Sequence, residues 1–553
     1  MRDCSSYWEN PVPSSFDRRA FLRIVGLSSV AAGFPAFGQS PPKTSGLVLG
    51  HPEGAATGLE ALSAGGNAMD AAVTAALVAG VVAVPMCGIG GYGGHMIIAK
   101  PDGKVSAIDF NSAAPAAARA DMFPLNDKGQ VKGGINIHGW LAAGVPGTLA
   151  GMQLALDRFG TWAMGRALKP AIRFAREGFP VSARCAKAIE NAAGQFRKDP
   201  GSSRLFLKDG KPWPEGATFR NSELADMLQK LADANSVKAF YQGDIAQKIA
   251  AEFQKHGGLV TVDDLARYEP REVKPLELEW NGRMIYTAPL TAGGLTVLQA
   301  LTTLKAFGWE KSDATDPKTT HARVEALRLA WHDRLKLLGD PEKVDVPVQR
   351  LLSSSYAEQA AERARQALAE GKALPASSDG KNAGGTIHIT ATDAQGMMVA
   401  ITLTHGESFG AQVTVDGLGL VLGHGMSRFD PHPNHPNCPG PGKRPLHNMC
   451  PTVVLQDGKP VAAMGATGGR RIPNTLFDVL SYFVGQKRAL KEAAAAPRMH
   501  TIGSLELDLS KNTPAAVSEY LKRAGYNVKT GPGANFNGIA RETASGDLMG
   551  AVG

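Results

Sequence analysis

The chain has 553 residues, enough for two to four domains or one large composite domain, and its 43% hydrophobic and 20% charged content is ordinary for a globular protein. Its 64 glycines and 35 prolines mean many turns without low complexity. The formal net charge of +8 is spread without basic runs or interleaved aromatics, which argues against nucleic-acid binding.

The first informative stretch is Ser15-Phe16-Asp17-Arg18-Arg19-Ala20-Phe21-Leu22-Arg23, a pattern similar to a twin-arginine export motif. The apolar run from Ile24 to Phe37 is too short and too weak for a membrane span, and no other stretch is long and apolar enough for one. Ala36-Phe37-Gly38 puts small residues at the −3 and −1 positions before Gln39. Residues 1–38 therefore read as a removed signal, with the folded protein exported to a bacterial periplasm; a basic tail is the plain alternative. Cys4 leaves with the signal. Cys87, Cys185, Cys438 and Cys450 form no CxxC pair, which argues against a structural zinc or redox motif and leaves one disulfide open.

From Gly46 a short strand leads into helical segments over 55–79, interrupted at Gly65-Gly66. Residues 68–79 are apolar all round, so that helix is expected to be buried. Gly88-Ile89-Gly90-Gly91-Tyr92-Gly93-Gly94 follows, then strands over 95–99 and 105–110 joined by a Pro101-Asp102-Gly103 turn. The run contains GxGxxG, but a helix precedes it and a strand follows. A dinucleotide site needs the reverse order, so close backbone packing is the better reading. From about 160 to 375 the pattern is mainly helical. After Thr386 it becomes strand-rich, with hairpin turns at Asp393–Gly396 and Asp457-Gly458, before helices return near 475, 487 and 514. Strands packed between helical layers fit an α/β sandwich.

The chemistry centres on Gly384-Gly385-Thr386-Ile387-His388. A threonine opening a strand directly after two glycines suggests a cleavage site. Cut at Gly385–Thr386, Thr386 would carry a hydroxyl nucleophile and a free amine to act as its base. Thr404 closes the paired strand and can orient that hydroxyl. Gly468-Gly469, between a strand and a helix, can aim backbone N–H groups at a developing oxyanion. Two rival motifs are weaker. Gly406-Glu407-Ser408-Phe409-Gly410 matches GxSxG, yet no helix follows to make the elbow. His432, His435 and Cys438 have metal-ligand spacing, but four prolines stiffen that loop, which reads better as a cover over substrate. None of these motifs calls for a cofactor.

These residues resemble the gamma-glutamyltranspeptidase family of N-terminal nucleophile hydrolases. The likeness rests on His51-Pro52-Glu53-Gly54-Ala55-Ala56, Gly65-Gly66-Asn67-Ala68-Met69-Asp70-Ala71-Ala72, the run Gly88–Gly94, Ala143-Gly144-Val145-Pro146-Gly147-Thr148, Gly385-Thr386-Ile387-His388, Met449-Cys450-Pro451-Thr452 and Gly465-Ala466-Thr467-Gly468-Gly469-Arg470-Arg471-Ile472. The resemblance implies a four-layer αββα sandwich and autocatalytic cleavage before Thr386. A large chain of residues 39–385 and a small chain of residues 386–553 would stay associated. Thr386 would attack an amide, Thr404 would assist, and the Gly468 and Gly469 amides would hold the oxyanion.

The substrate pocket departs from the family pattern. The family's carboxylate-gripping arginine is replaced by Asn111, and its paired serines by His447 and Asn448. Its asparagine, glutamine and aspartate around the α-amino group become Gly406, Gly425 and Arg428. Each lost charge-assisted contact costs about 1.5–3 kcal/mol. The expected acyl group is therefore not γ-glutamyl. Arg428, with Arg444 or Arg470, would attract an anionic acyl group lacking the amine; the plain alternative pairs Arg428 with Glu407 or Asp430. A true γ-glutamyl enzyme with a rearranged pocket and a non-catalytic binding protein on the same fold are the competing functions.

Overall fold

The computed structural model describes residues 46–313, 316–376, 385–542 and 545–553. The export motif, Cys4, the expected cut after Gly38 and residues 377–384 lie outside the described residues. In chain order, the elements that frame the site begin with strand β1 (Gly46–Leu49) and helices α1 (Pro52–Ser63) and α2 (Ala68–Val82). Strands β2 (Gly93–Ala99), β3 (Val105–Asp109), β4 (Arg271–Val273), β5 (Leu276–Trp280) and β6 (Arg283–Thr287) come next. Helices α3 (Gly294–Phe307), α4 (Pro317–Leu337) and α5 (Ser354–Glu370) precede strands β7 (Gly385–Asp393) and β8 (Met398–Gly406). Strands β9 (Thr452–Gln456) and β10 (Lys459–Thr467), helix α6 (Arg471–Leu480), and strands β11 (Asn535–Arg541) and β12 (Leu548–Val552) complete the frame.

Helix α2 shows how local sequence sets this framework. Its N-terminal N–H groups are capped by Asn67, whose side chain accepts from Met69 and Asp70, while the Asp70 carboxylate accepts from Asn67. Asp70 also accepts from the Thr161 and Trp162 backbone at 2.9 and 3.0 Å and from the Thr161 hydroxyl at 2.6 Å. Every residue of the helix is buried, as its uniformly apolar sequence demands.

Two antiparallel sheets face each other. The first has the order β1-β7-β8-β2-β3-β4 and the second β12-β11-β10-β9-β6-β5. Helices α1 and α2 cover the outer face of the first, and α3, α4 and α6 that of the second. Between the sheets lies a thin apolar layer that includes Ile97, Ala107, Met398, Ala400, Val453 and Ala463. The result is the expected four-layer αββα sandwich. No helix among the described residues is long and apolar enough to cross a membrane.

The mainly helical reading of 160–375 misses several strands, among them Arg271–Val273 at the edge of the first sheet. Leu276–Trp280 and Arg283–Thr287 form a hairpin that supplies the edge of the second sheet. The alternation Leu-Glu-Leu-Glu-Trp before Asn281-Gly282 is a hairpin signature, and both turn residues have positive φ, 52° and 77°. The predicted helix near 475 starts earlier, at Arg471, and ends in a π turn, Ser481–Gly485. The last helix begins at Ala515, with Pro514 at its N-cap.

Asp70→Ala should lower stability by about 3 kcal/mol, because it strips four hydrogen bonds from a buried helix start. A thermal melt checks this; an unchanged midpoint would contradict the assignment.

Candidate active site

Thr386 sits in an irregularity of the sheet. Gly385 pairs with Gly406, but the next pair is Ile387 with Leu403. Two residues of β8, Thr404 and His405, therefore lie opposite Thr386 alone, as in a β-bulge. The bulge turns the Thr386 hydroxyl toward Thr404, to which it donates at 3.3 Å. The Thr404 hydroxyl in turn donates to the Gly385 carbonyl oxygen, and its oxygen accepts the Gly406 N–H at 2.7 Å. Thr386 is 4% exposed and Thr404 2%. One hydroxyl thus touches both the candidate nucleophile and the carbonyl of the bond before it.

The two glycines reach the same end of the sandwich. Across the sheet interface the His388 ring lies on Gly465 with no room for a Cβ there. Asn537, paired with Gly465 in the second sheet, bonds to Thr390 and to the His388 carbonyl, and Arg541 reaches Asp393. Strands β7 and β11 therefore run the same way, and β10 runs opposite to β7. Moving from Gly465 toward Gly468 and Gly469 runs parallel to moving from His388 back to Thr386. Gly468 has φ 141° and Gly469 φ 61°, so this turn into α6 suits glycine. Neither amide has an acceptor among the described residues.

The pocket residues converge beside this end. The glycine run serves close packing: Gly88 lies on the His405 ring, and Gly423 donates to the Gly90 carbonyl at 2.9 Å. That contact seats the turn Gly425–Arg428. Gly406, at φ 101°, leaves room for the His424 ring, and Tyr92 packs on both Gly406 and Gly425. His424 Nδ1 faces the Ile137 carbonyl at 3.2 Å, so Nδ1 carries the proton and Nε2 accepts from Arg428 Nη2 at 3.1 Å. Arg428 has no carboxylate partner among the described residues, so the pairing with Glu407 or Asp430 does not occur.

Asn111 is fully buried, and its Nδ2 donates to Thr291 Oγ1 and the Pro445 carbonyl at 3.0 and 2.8 Å. Among the described residues its Oδ1 has no partner, nor has the adjacent Ser112 hydroxyl, which lies against Gly425. His447 is buried with Nδ1 accepting from Met449 at 3.2 Å, which leaves Nε2 as an unpartnered donor. Asn448 is half-buried. Arg444 is not part of the pocket. It pairs with Asp109 at 2.7 Å and bonds the Glu269 carbonyl. Arg470 remains a candidate, since its Nη1 is buried without a partner among the described residues. His424, Tyr92 and Ser112 escape a sequence reading; an aromatic residue inside a glycine run was the available signal.

The rival motifs stay apart from this chemistry. No helix starts after Ser408. His435 uses both ring nitrogens on Leu335 and Asn437, and His432 bonds Asp430. Among the described residues no group of three or more His, Cys, Asp or Glu is arranged to hold a metal ion.

The site's histidines are buried and neutral. Burial pushes His388 and His405 down to about 3 and His95 to about 4. It pushes His424 and His447 well below their usual value. Burial would raise Asp109, but His95, Arg444 and Arg271 together hold it well below the usual carboxylate range.

A four-layer sandwich with a threonine at the head of a central strand defines the N-terminal nucleophile hydrolase class. The family model for gamma-glutamyltranspeptidase matches residues 54–552. The chain is 35% identical over 462 residues to a glutathione hydrolase proenzyme of Escherichia coli (strain K12), a match covering 80% of this chain and 78% of that one. It is 34% identical over 515 residues to the acylase ACY 1 proenzyme of Pseudomonas sp. (strain SE83), covering 92% and 91%. Its fold matches that of the cephalosporin acylase from Bacillus halodurans with a TM-score of 0.82 and 26% identity, over 95% of this chain and 97% of that one. The chain belongs to the gamma-glutamyltranspeptidase family and is an enzyme of its amidohydrolase and acyltransferase type. The reading as a non-catalytic binding protein is set aside.

The neutral histidines make stability pH-dependent. Unfolded histidine takes up a proton near pH 6.5, whereas buried His388 and His405 resist until about pH 3. Their contribution is complete above pH 6.5 and falls by about 1.4 kcal/mol per pH unit for each group as pH drops toward 3. Asp478, raised to about 6 by burial, opposes this in part. Melting temperature should fall steadily from pH 6.5 to 4.5; a flat profile would refute the neutral assignment.

Proposed function

We propose that this chain is an exported, self-cleaving N-terminal threonine amidohydrolase. Its signal is residues 1–38, its large chain 39–385 and its small chain 386–553. The observation that carries the reading is the Thr404 hydroxyl held between the Gly385 carbonyl and the Thr386 hydroxyl. In self-cleavage Thr386 Oγ bonds to the Gly385 carbonyl carbon. The Thr404 O–H stabilises the charge that develops on the carbonyl oxygen. The hydroxyl proton passes to the amide nitrogen as the C–N bond breaks, leaving an ester and the free Thr386 amine, and water hydrolyses the ester to release the Gly385 carboxylate and restore the hydroxyl.

In turnover the same hydroxyl attacks a substrate amide and the Thr386 amine takes its proton. The Gly468 and Gly469 N–H groups receive the oxyanion, and collapse expels the amine product. Water, or another amine, then releases the acyl group from Thr386. The relatives named as proenzymes support the self-cleavage.

The acyl group is not a standard γ-glutamyl group in this reading. Asn111 is neutral and bound to Thr291 and Pro445, while Gly406 and Gly425 offer no side-chain acceptor to an ammonium. Arg428, half-buried and without a carboxylate partner among the described residues, would repel that ammonium and attract an anionic acyl group, with Asn111, His447 and Asn448 lining the remainder. The similarity to an acylase supports this choice. The similarity to a glutathione hydrolase favours the second reading, a true γ-glutamyl enzyme with a rearranged pocket.

On a denaturing gel the wild type should give two bands of about 347 and 168 residues, and Thr386→Ala one full-length band. An uncut wild type sinks the proposal. Arg428→Ala should raise KM for anionic amides about tenfold, and unchanged kinetics would remove its role. Rapid release of nitroaniline from a γ-glutamyl anilide would select the second reading.

A further inference from the structure

Residues 386, 388 and 390 share one face of β7, the face toward the second sheet. Thr402 and Thr404 stand beside them on β8. Below the Thr386–Thr404 contact this face carries a cluster of polar groups beside the apolar inter-sheet layer of Ile97, Ala400 and Ala463. His388 Nδ1 is 2.8 Å from Thr402 Oγ1, and its Nε2 is 3.1 Å from Thr390 Oγ1. Thr390 donates to Asn537 Oδ1 at 2.8 Å, and Asn537 Nδ2 donates to the His388 carbonyl at 3.1 Å.

The proton assignment follows from one end of this network. Asn537 uses its amide nitrogen on a carbonyl, so its oxygen must accept, and the Thr390 O–H must donate. Thr390 Oγ1 therefore accepts from His388 Nε2–H. His388 Nδ1 is then the acceptor for the Thr402 O–H. Every member is satisfied with the ring neutral, and burial keeps it neutral down to about pH 3.

The network joins the two halves of the chemistry. His388 lies two residues after Thr386. Its ring fills the space above Gly465, three residues before Gly468, so closely that a Cβ on Gly465 would overlap it. Asn537 is the sheet partner of Gly465. The distance between nucleophile and oxyanion donors is thus set by one imidazole thickness and four directed hydrogen bonds. Apolar packing alone would tolerate sliding here; a fully satisfied buried network does not.

We propose that His388 is a positioning residue, which holds Thr386 at a fixed separation from the Gly468 and Gly469 amides and touches no substrate itself. The proposal rests on the reading of Thr386 as nucleophile. Thr402→Val removes the donor to Nδ1 while conserving shape. His388→Ala removes the spacer, and His388→Gln returns a donor toward Thr390. The measurements are kcat per titrated Thr386 site, KM, the rate of precursor cleavage and the melting temperature.

For Thr402→Val we expect kcat per active site to fall about tenfold with KM within about twofold and slower self-cleavage. His388→Ala should lose about a hundredfold, the effect of a misplacement near 1 Å, and His388→Gln should recover part of it. Where His388→Ala does not fold, Thr402→Val decides alone. A merely structural role would reduce the number of titratable sites and leave kcat per site intact, which overturns the proposal. So would a loss confined to KM. A wild type that is uncut and inactive defeats the nucleophile reading instead, whereas an active wild type with unaltered variants defeats only this one.

Discussion

The active end of the molecule depends on the mismatch between β7 and β8. A regular ladder would alternate Thr386 and Thr404 with their neighbours and leave no reason for their hydroxyls to converge. The extra residue in β8 brings one threonine oxygen within reach of a hydroxyl, a carbonyl and an amide at once. Everything around it follows from that crowding. The glycine run before β2 lets His405 and the 423–425 turn approach the strand ends, and Gly406 admits the His424 ring. The ring then holds Arg428.

Charge is distributed with a clear division. Beneath the pocket, Asp109 gathers His95, Arg271 and Arg444 into a buried network that fixes the floor. At the pocket itself Arg334, Arg428 and Arg470 have no carboxylate partner among the described residues. Arg334 reaches only neutral oxygens, among them the His447 carbonyl at 2.7 Å. Burial and the neighbouring Arg470 push it down to about 10, and burial and Arg428 do the same to Arg470. A cation without a carboxylate partner destabilises a fold when it is buried, as Arg334 is. The presence of these arginines beside a proposed nucleophile favours anionic ligands over cationic ones there.

The sequence was legible where spacing alone carries the physics. The all-apolar helix from Ala68, the hairpin turns and the order of the two central strands all lie within short windows. The proposed site residues Gly385-Thr386, Thr404 and Gly468-Gly469 stand out in the sequence because each lies at or near a strand end. The edge hairpin at 276–287 was also within reach, through Asn281-Gly282 between alternating residues. Arg444 was misread as a pocket cation, because nothing near it in sequence reveals Asp109, 335 residues away.

By itself the sequence determined the class of chemistry, through the residues that can supply a hydroxyl, an amine and bare amides. Its local periodicities also pointed to an α/β sandwich, and the resemblance to a family supplied the four-layer arrangement. Tertiary structure alone decided which groups meet. The register shift, the His424 support of Arg428, the diversion of Arg444 and the His388 spacer all join residues far apart along the chain. Such contacts depend on how sheets stack and on which polar groups must be satisfied when water is excluded, and no local pattern encodes either.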